Sequence, residues 1–161
     1  MLVILGKLFY MFRQFRSVCM SRYLSHRVAP KGGVNIGSEV QLQHVENIHI
    51  GKGTYINGGQ IIAGANSQIL IGEKCMISYN VHIRTTTHNY SAGDIPMIEQ
   101  GGNEKDIIIG NNVWIGYGAQ IMSGVAIGDG SIVGAGAVVT HSIGEDEVWA
   151  GVPAHFVKNR T

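Results

Sequence analysis

Aliphatic residues return at every sixth position along most of this chain. Ile71, Ile77 and Ile83 share one register, and Ile109, Ile115, Ile121, Ile127, Val133 and Val139 share another. Earlier and shorter registers join Ile36 to Leu42, and Ile50 to Ile56 and Ile62. Four positions after many of these stand small or β-branched residues: Val40, Thr54, Cys75, Val81, Val113, Ala119, Val125, Ser131 and Ala137. Gly or Asn often comes just before, as at Gly53, Asn80, Asn112, Gly118, Gly124, Gly130 and Gly136. A helix repeats every 3.6 residues and a strand every two, so a strict six matches neither alone. It matches a short strand followed by a corner, where Gly and Asn tolerate the required backbone angles and the aliphatic side chain points inward. Three such units close one triangular turn. The pattern therefore predicts an all-β solenoid, a parallel β-helix of about 18 residues per coil, with coils starting near Ile71, Ile109 and Ile127.

The pattern fails in three places. Before the repeat, Leu5, Leu8, Phe9, Phe12 and Phe15 recur at helical spacing with Arg13 and Arg16 toward the other side, which predicts a short amphipathic arm over residues 1–30. Its apolar stripe is expected to pack on the same domain or on a partner subunit. After Ile83 the register resumes only at Ile109, an insertion over residues 84–106 that opens Arg84-Thr85-Thr86-Thr87-His88-Asn89-Tyr90. Insertions of this length without structure of their own are usually functional. A shorter break at Gly58 to Gln68 reads as a bulge. The β-helix thus covers residues 31–144, and 145–161 form an extended or short helical tail.

Composition narrows the class. The chain has 23 glycines in 161 residues, about twice the usual ~7%, and only 14% charged residues against an ordinary ~25%. With 45% apolar residues, three prolines and no collagen period, a disordered or collagenous chain is excluded. Cys19 and Cys75 make neither a disulfide framework nor a CxxC zinc site, so a reducing cytoplasm is expected. Residues 1–31 carry Lys7, Arg13, Arg16, Arg22, Arg27 and Lys31 and no acid. The expectation is a cytoplasmic protein without a signal peptide or membrane span, whose basic arm touches the inner face of an anionic membrane.

The runs Ile109-Gly110-Asn111-Asn112-Val113-Trp114-Ile115-Gly116, Ile127-Gly128-Asp129, Val133-Gly134-Ala135-Gly136-Ala137-Val138-Val139-Thr140 and Ala150-Gly151-Val152-Pro153-Ala154 resemble the hexapeptide-repeat acetyltransferases. Within that family they are most similar to the maltose/galactoside O-acetyltransferase and polysaccharide acetyltransferase branch, over roughly residues 50–158. The resemblance implies a left-handed coil, assembly as homotrimers, and acetyl-CoA in the groove between subunits. It implies transfer of an acetyl group to a saccharide hydroxyl, in a cell-surface polysaccharide or its precursor, with N-acetylation of an amino sugar as the alternative.

A sugar hydroxyl is a weak nucleophile at neutral pH and needs a base with a pKa near 7, for which histidine is the natural choice. His88 matches the family's catalytic histidine by its place in the insertion. The negative oxygen formed during acyl transfer needs a donor set in advance, and the matching backbone N–H belongs to Tyr117. Ala135 lies 18 residues on, so the two share a corner of successive coils as a track for the cofactor's arm. Thr140 matches a position near the nucleotide end, and Lys158 and Arg160 are placed to meet phosphates by charge. Asn57 aligns with an asparagine that touches acceptor or base. Asn66 falls where sugar acetyltransferases often carry aspartate, and Trp114 reads as a packing residue under the loop or at the subunit contact. Departures from the family pattern are Gly144-Glu145-Asp146 in place of a proline-rich turn, and His155.

Two rival readings use other residues. A zinc β-helix enzyme of the carbonic anhydrase type would draw on His44 and His49 with His82 or His88; no metal is expected under the main reading. A solenoid that binds without catalysis is the other. Nucleotide phosphate loops are excluded, since no GxxxxGK[ST] occurs and Gly134-Ala135-Gly136 is a repeat corner; no nucleic-acid partner is expected.

Overall fold

The computed structural model describes residues 2–29 and 32–161, with side chains from residue 5 onward. A long helix, α1 (Leu2–Val28), leads into a stack of triangular coils. The first coil is β1 (Asn35–Ile36), β2 (Val40–Gln43) and β3 (Ile48–Ile50). The second is β4 (Tyr55–Ile56), β5 (Gly59–Ile62) and β6 (Ile69–Ile71). In the third, β7 (Met76–Ile77) and β8 (Val81–Arg84) are followed by an excursion, β9 (Thr86–His88) and β10 (Gly102–Glu104), before β11 (Ile107–Ile109) closes the triangle. The fourth is β12 (Trp114–Ile115), β13 (Gln120–Ile121) and β14 (Ala126–Ile127). The fifth has β15 (Ile132–Val133), β16 (Val138–Val139) and a lone bridge from Ile143 to Ile127. Finally β17 (Glu147–Ala150) adds one more parallel rung and β18 (His155–Asn159) folds back antiparallel on it.

Like sides stack into three parallel sheets. Sheet A runs β1-β4-β7-β12-β15-β17-β18, sheet B runs β16-β13-β8-β5-β2, and sheet C runs β14-β11-β6-β3. Their inward residues form continuous columns, Ile36-Ile56-Ile77-Ile115-Val133 in sheet A and Ile61-Ile83-Ile121-Val139 in sheet B, all essentially buried. Burying each such side chain contributes about 1.5–3 kcal/mol. The corners are as the pattern requires: Gly53, Asn80, Asn112, Gly118, Gly124, Gly130 and Gly136 all have positive φ. Lys74 joins them at φ 56, in a slot the hexad pattern passes over. Cys75 fills an inward corner slot. Its Sγ donates to the Gly110 carbonyl at 3.1 Å, and burial pushes its thiol pKa up, so it is a packing residue.

Two expectations change. Ile62 does not face the core: the register puts Ile61 beside Ile83, and Ile62 beside the outward Arg84. The cause is Gly59, which at φ 121 takes the corner position next to Val81, where a Cβ would stand 2.1 Å from the Val81 carbonyl oxygen. That side of the coil is therefore one residue short. Leu42, paired with Ile61, is only partly buried. The helical arm forms, but Leu5, Phe9, Phe12 and Phe15 are about two-thirds exposed, so of the two expected places for this stripe its own domain is not one. A serine stripe one turn apart docks instead. Ser17 Oγ meets Ser38 Oγ at 2.8 Å, Ser21 Oγ donates to the Ile36 carbonyl, and Ser25 Oγ accepts the Ile36 N–H. Ile36 lies in the edge strand of sheet A, whose backbone groups have no further coil to bond, and these hydroxyls close it. The tail is extended, the first of the two expected forms, and it is paired: β17 is a rung of sheet A and β18 its hairpin partner.

Candidate active site

The large insertion is a hairpin with its own ladder. β9 and β10 pair antiparallel, with Thr86 opposite Glu104 and His88 opposite Gly102. Its root is fixed by Thr85, fully buried, whose hydroxyl accepts the Gly64 N–H and the Ser67 hydroxyl, while its carbonyl accepts the Lys105 N–H and Ser123 Oγ. On the returning strand, Glu104 Oε2 accepts the Asn66 N–H at 2.7 Å and Ser67 Oγ at 3.1 Å, and Asp106 Oδ1 accepts the Gln68 N–H. The short break at Gly58 to Gln68 is therefore more than a bulge, for its far end is the seat of the hairpin. Beyond the ladder, Asn89 Nδ2 donates to the Gln100 carbonyl and the Gln100 amide ties Ala92 and Ile95, while Tyr90, Met97 and Ile98 project into solvent.

His88 stands at the last rung of this hairpin, exposed, with no hydrogen bond to its ring among the described residues. The hairpin fixes its Cα and leaves both ring nitrogens available. His82 is held differently. It lies half-buried on the outer face of β8, where Arg84 Nε donates to its Nε2 at 3.2 Å. Desolvation, then the Arg84 charge, lower its pKa and favour the neutral ring.

Tyr117 and Ala135 occupy the corner between sheets A and B on successive coils, joined by the Gly136 N–H donating to the Tyr117 carbonyl at 2.7 Å. Neither spends its own N–H on an acceptor among the described residues. The Tyr117 hydroxyl accepts Asn80 Nδ2 at 2.6 Å. Asn57, half-exposed, stands on the same corner two coils before Tyr117, and its N–H donates to the Ile77 carbonyl. One chain thus brings Tyr117, Ala135 and Asn57 together on one edge of the prism. It places Asn66 and the root of the His88 hairpin on the next edge, between sheets B and C, with the outer face of sheet B between the two.

The remaining expected residues are dispersed. Thr140 lies exposed after β16, its hydroxyl 3.0 Å from His141 Nδ1. Lys158 is exposed on β18, opposite Val148. Arg160 has a structural task, since its Nη1 donates to the Gly130 carbonyl at 2.6 Å and its N–H to the Asp146 carbonyl, fastening the tail at the corner between sheets C and A. Trp114 is half-exposed on the outer face of sheet A, in a column with Tyr55, Met76 and Ile132, and not under the hairpin. Among the zinc candidates, His49 faces out from sheet C and His82 from sheet B, and the described residues form no group of three ligand-type side chains. Sequence reasoning missed Thr85, Glu104 and Tyr79; only the first stood in a run it had noted.

Comparison with known proteins agrees with this architecture. Residues 106–141 match the family model described as Bacterial transferase hexapeptide (six repeats). The chain is 36% identical over 121 residues to the galactoside O-acetyltransferase of Escherichia coli (strain K12), a match covering 74% of this chain and 57% of that protein. The crystal structure of a maltose O-acetyltransferase from Clostridium difficile 630 superposes with a TM-score of 0.71 and 32% identity, covering 80% of this chain and 67% of that one. A galactoside acetyltransferase in complex with coenzyme A gives a TM-score of 0.70 and 35% identity, covering 80% and 64%. The chain belongs to the hexapeptide-repeat acetyltransferases, and its coil is the left-handed parallel β-helix of that class. It spans a little over half the length of the curated relative from Escherichia coli.

Proposed function

We propose that this protein transfers the acetyl group of acetyl-CoA to a hydroxyl of a saccharide, in a cell-surface polysaccharide or its precursor. One observation carries the reading: His88, at the family's histidine position, is presented with both ring nitrogens free on a hairpin that buried Thr85 and Glu104 fasten to the coil. The bound thioester supplies the activated acyl group. His88 takes the proton of the attacking hydroxyl and returns it to the departing thiolate, leaving an acetyl ester and a free thiol. The open Tyr117 N–H on the coil corner is a donor for the developing oxyanion, and Ala135 continues the same corner in the next coil, with Thr140 across sheet B on the next edge. Lys158 adds positive charge for the phosphates.

Since His88 and Tyr117 stand on different edges of one prism, a complete site is formed at the seam between neighbouring chains of a homotrimer. The outer face of sheet A, with Tyr55, Met76 and Trp114 exposed, is apolar and suits burial against a second chain. Replacing His88 by Ala is expected to lower kcat about 10²–10⁴-fold while the affinity for coenzyme A stays unchanged, checked by thiol release and calorimetry. Full turnover in the variant removes the base. No helix among the described residues is long and apolar enough to cross a membrane. The exposed Leu5, Phe9, Phe12 and Phe15 beside acid-free basic residues support peripheral contact with an anionic bilayer. In flotation with anionic vesicles, the whole chain is expected to rise and a chain lacking the arm to stay down.

A further inference from the structure

A cavity of about 1000 Å³ lies between α1 and the corner that carries Asn57. Its formation follows from the serine stripe. Ser25, Ser21 and Ser17 dock the C-terminal half of the helix, and the same stripe continues at Gln14 and Tyr10, three to four residues apart. Beyond Ser17 the helix runs past the first coil, so Tyr10, Arg13 and Gln14 overhang a groove instead of touching a floor. The opposite wall is Asn57 and Tyr79. Gly58 makes room for the Tyr79 ring, since a Cβ there would stand 3.1 Å from Tyr79 Cδ1, and the ring remains 56% exposed.

The groove has a definite charge. Arg13, Arg16 and Arg22 line it against Glu39 as the one acid, and among the described residues none of these arginines makes a salt bridge or a side-chain hydrogen bond. An aromatic face with an amide beside it suits the apolar face and hydroxyls of a sugar ring. Unpaired guanidinium groups suit a carboxylate or phosphate, which they hold in bidentate fashion. The size exceeds one sugar ring and falls at the upper end of small-molecule sites.

We propose that this groove is the acceptor site and that Arg13 selects a saccharide bearing an anionic group, a uronate or a sugar phosphate, whose ring lies on Tyr79 beside Asn57. The proposal rests on the transferase reading for the reaction, and on the groove alone for binding.

The test uses the full chain and compares three glycosides: methyl glucoside, methyl glucuronoside and methyl glucoside 6-phosphate. Each is measured by thiol release from acetyl-CoA and by calorimetric binding without it. At least one charged glycoside is expected to exceed the neutral one about tenfold or more in kcat/KM, and the carboxylate and phosphate arms tell which anion is meant. Arg13→Gln is expected to remove most of that preference through KM, whereas Arg27→Gln, outside the groove beside Tyr23, keeps it. Tyr79→Leu is expected to weaken charged and neutral glycosides alike. Equal use of all three glycosides, or an undiminished preference in Arg13→Gln, overturns the proposal. Binding of a charged glycoside that Arg13→Gln weakens, without any turnover, upholds the groove and rejects the transferase. If Arg13→Gln abolishes binding to phosphatidylglycerol vesicles and leaves glycoside binding intact, the arginine serves a membrane and the proposal fails.

Discussion

Two glycines of one corner separate conformation from space. Gly118 has φ +68 and nothing within 4 Å of where a Cβ would stand, whereas a Cβ on Gly116 would lie 2.6 Å from the Ala135 N atom. Gly118→Ala is therefore expected to cost only the left-handed strain, about 1–2 kcal/mol, while Gly116→Ala pushes two coils apart and costs more. Thermal unfolding of both variants checks the order. Equal losses would mean that the corner relaxes freely. The hexad pattern foretold most corner residues because only Gly and Asn adopt this geometry without strain. It missed Lys74, since a lysine at φ 56 has no compositional mark and is held there by the coils above and below.

At the scale of elements, the hairpin and the seat beneath it are one unit. Thr85 is the joint: removing its hydroxyl leaves the buried Gly64 N–H without a partner. Thr85→Val is expected to cost about 1–3 kcal/mol and to speed hydrogen exchange in β9 and β10 more than in the coil. Uniform exchange throughout would show that the hairpin is not separately anchored. The sequence revealed both interruptions of the repeat, but not that one carries the other. That link is a contact between residues 37 or 38 positions apart in sequence, as in Glu104 with Ser67 and Asn66. The helix is similar. Its apolar residues announced an amphipathic arm, yet the docked face is the serine stripe with Leu24 and Val28 beside it, which meet the bonding groups of the edge strand and the end of the core.

For the whole molecule, stability is the sum of stacked rungs, and a charge placed in one column breaks both neighbours. Ile115, fully buried between Ile77 and Val133, is expected to abolish folding when changed to Asp, read as loss of the native circular dichroism signal. The outward columns differ in character. Sheet A offers Tyr55, Met76, Trp114 and Ile132, while sheet B offers Gln41, Gln60, His82 and Gln120.

The sequence by itself determined the coil, its corners, the inward columns and the place of the hairpin. These depend on local backbone preference and on a period that is short compared with the chain. Only the tertiary structure decided that Ile61 and not Ile62 is inside, and that Asn57 joins Tyr117 and Ala135 on one edge while His88 rises from another. It alone showed that α1 roofs a cationic groove. A one-residue deficit at Gly59, a serine stripe and a pair of distant carboxylates settle these points, and each acts through contacts between coils that no period in the sequence encodes.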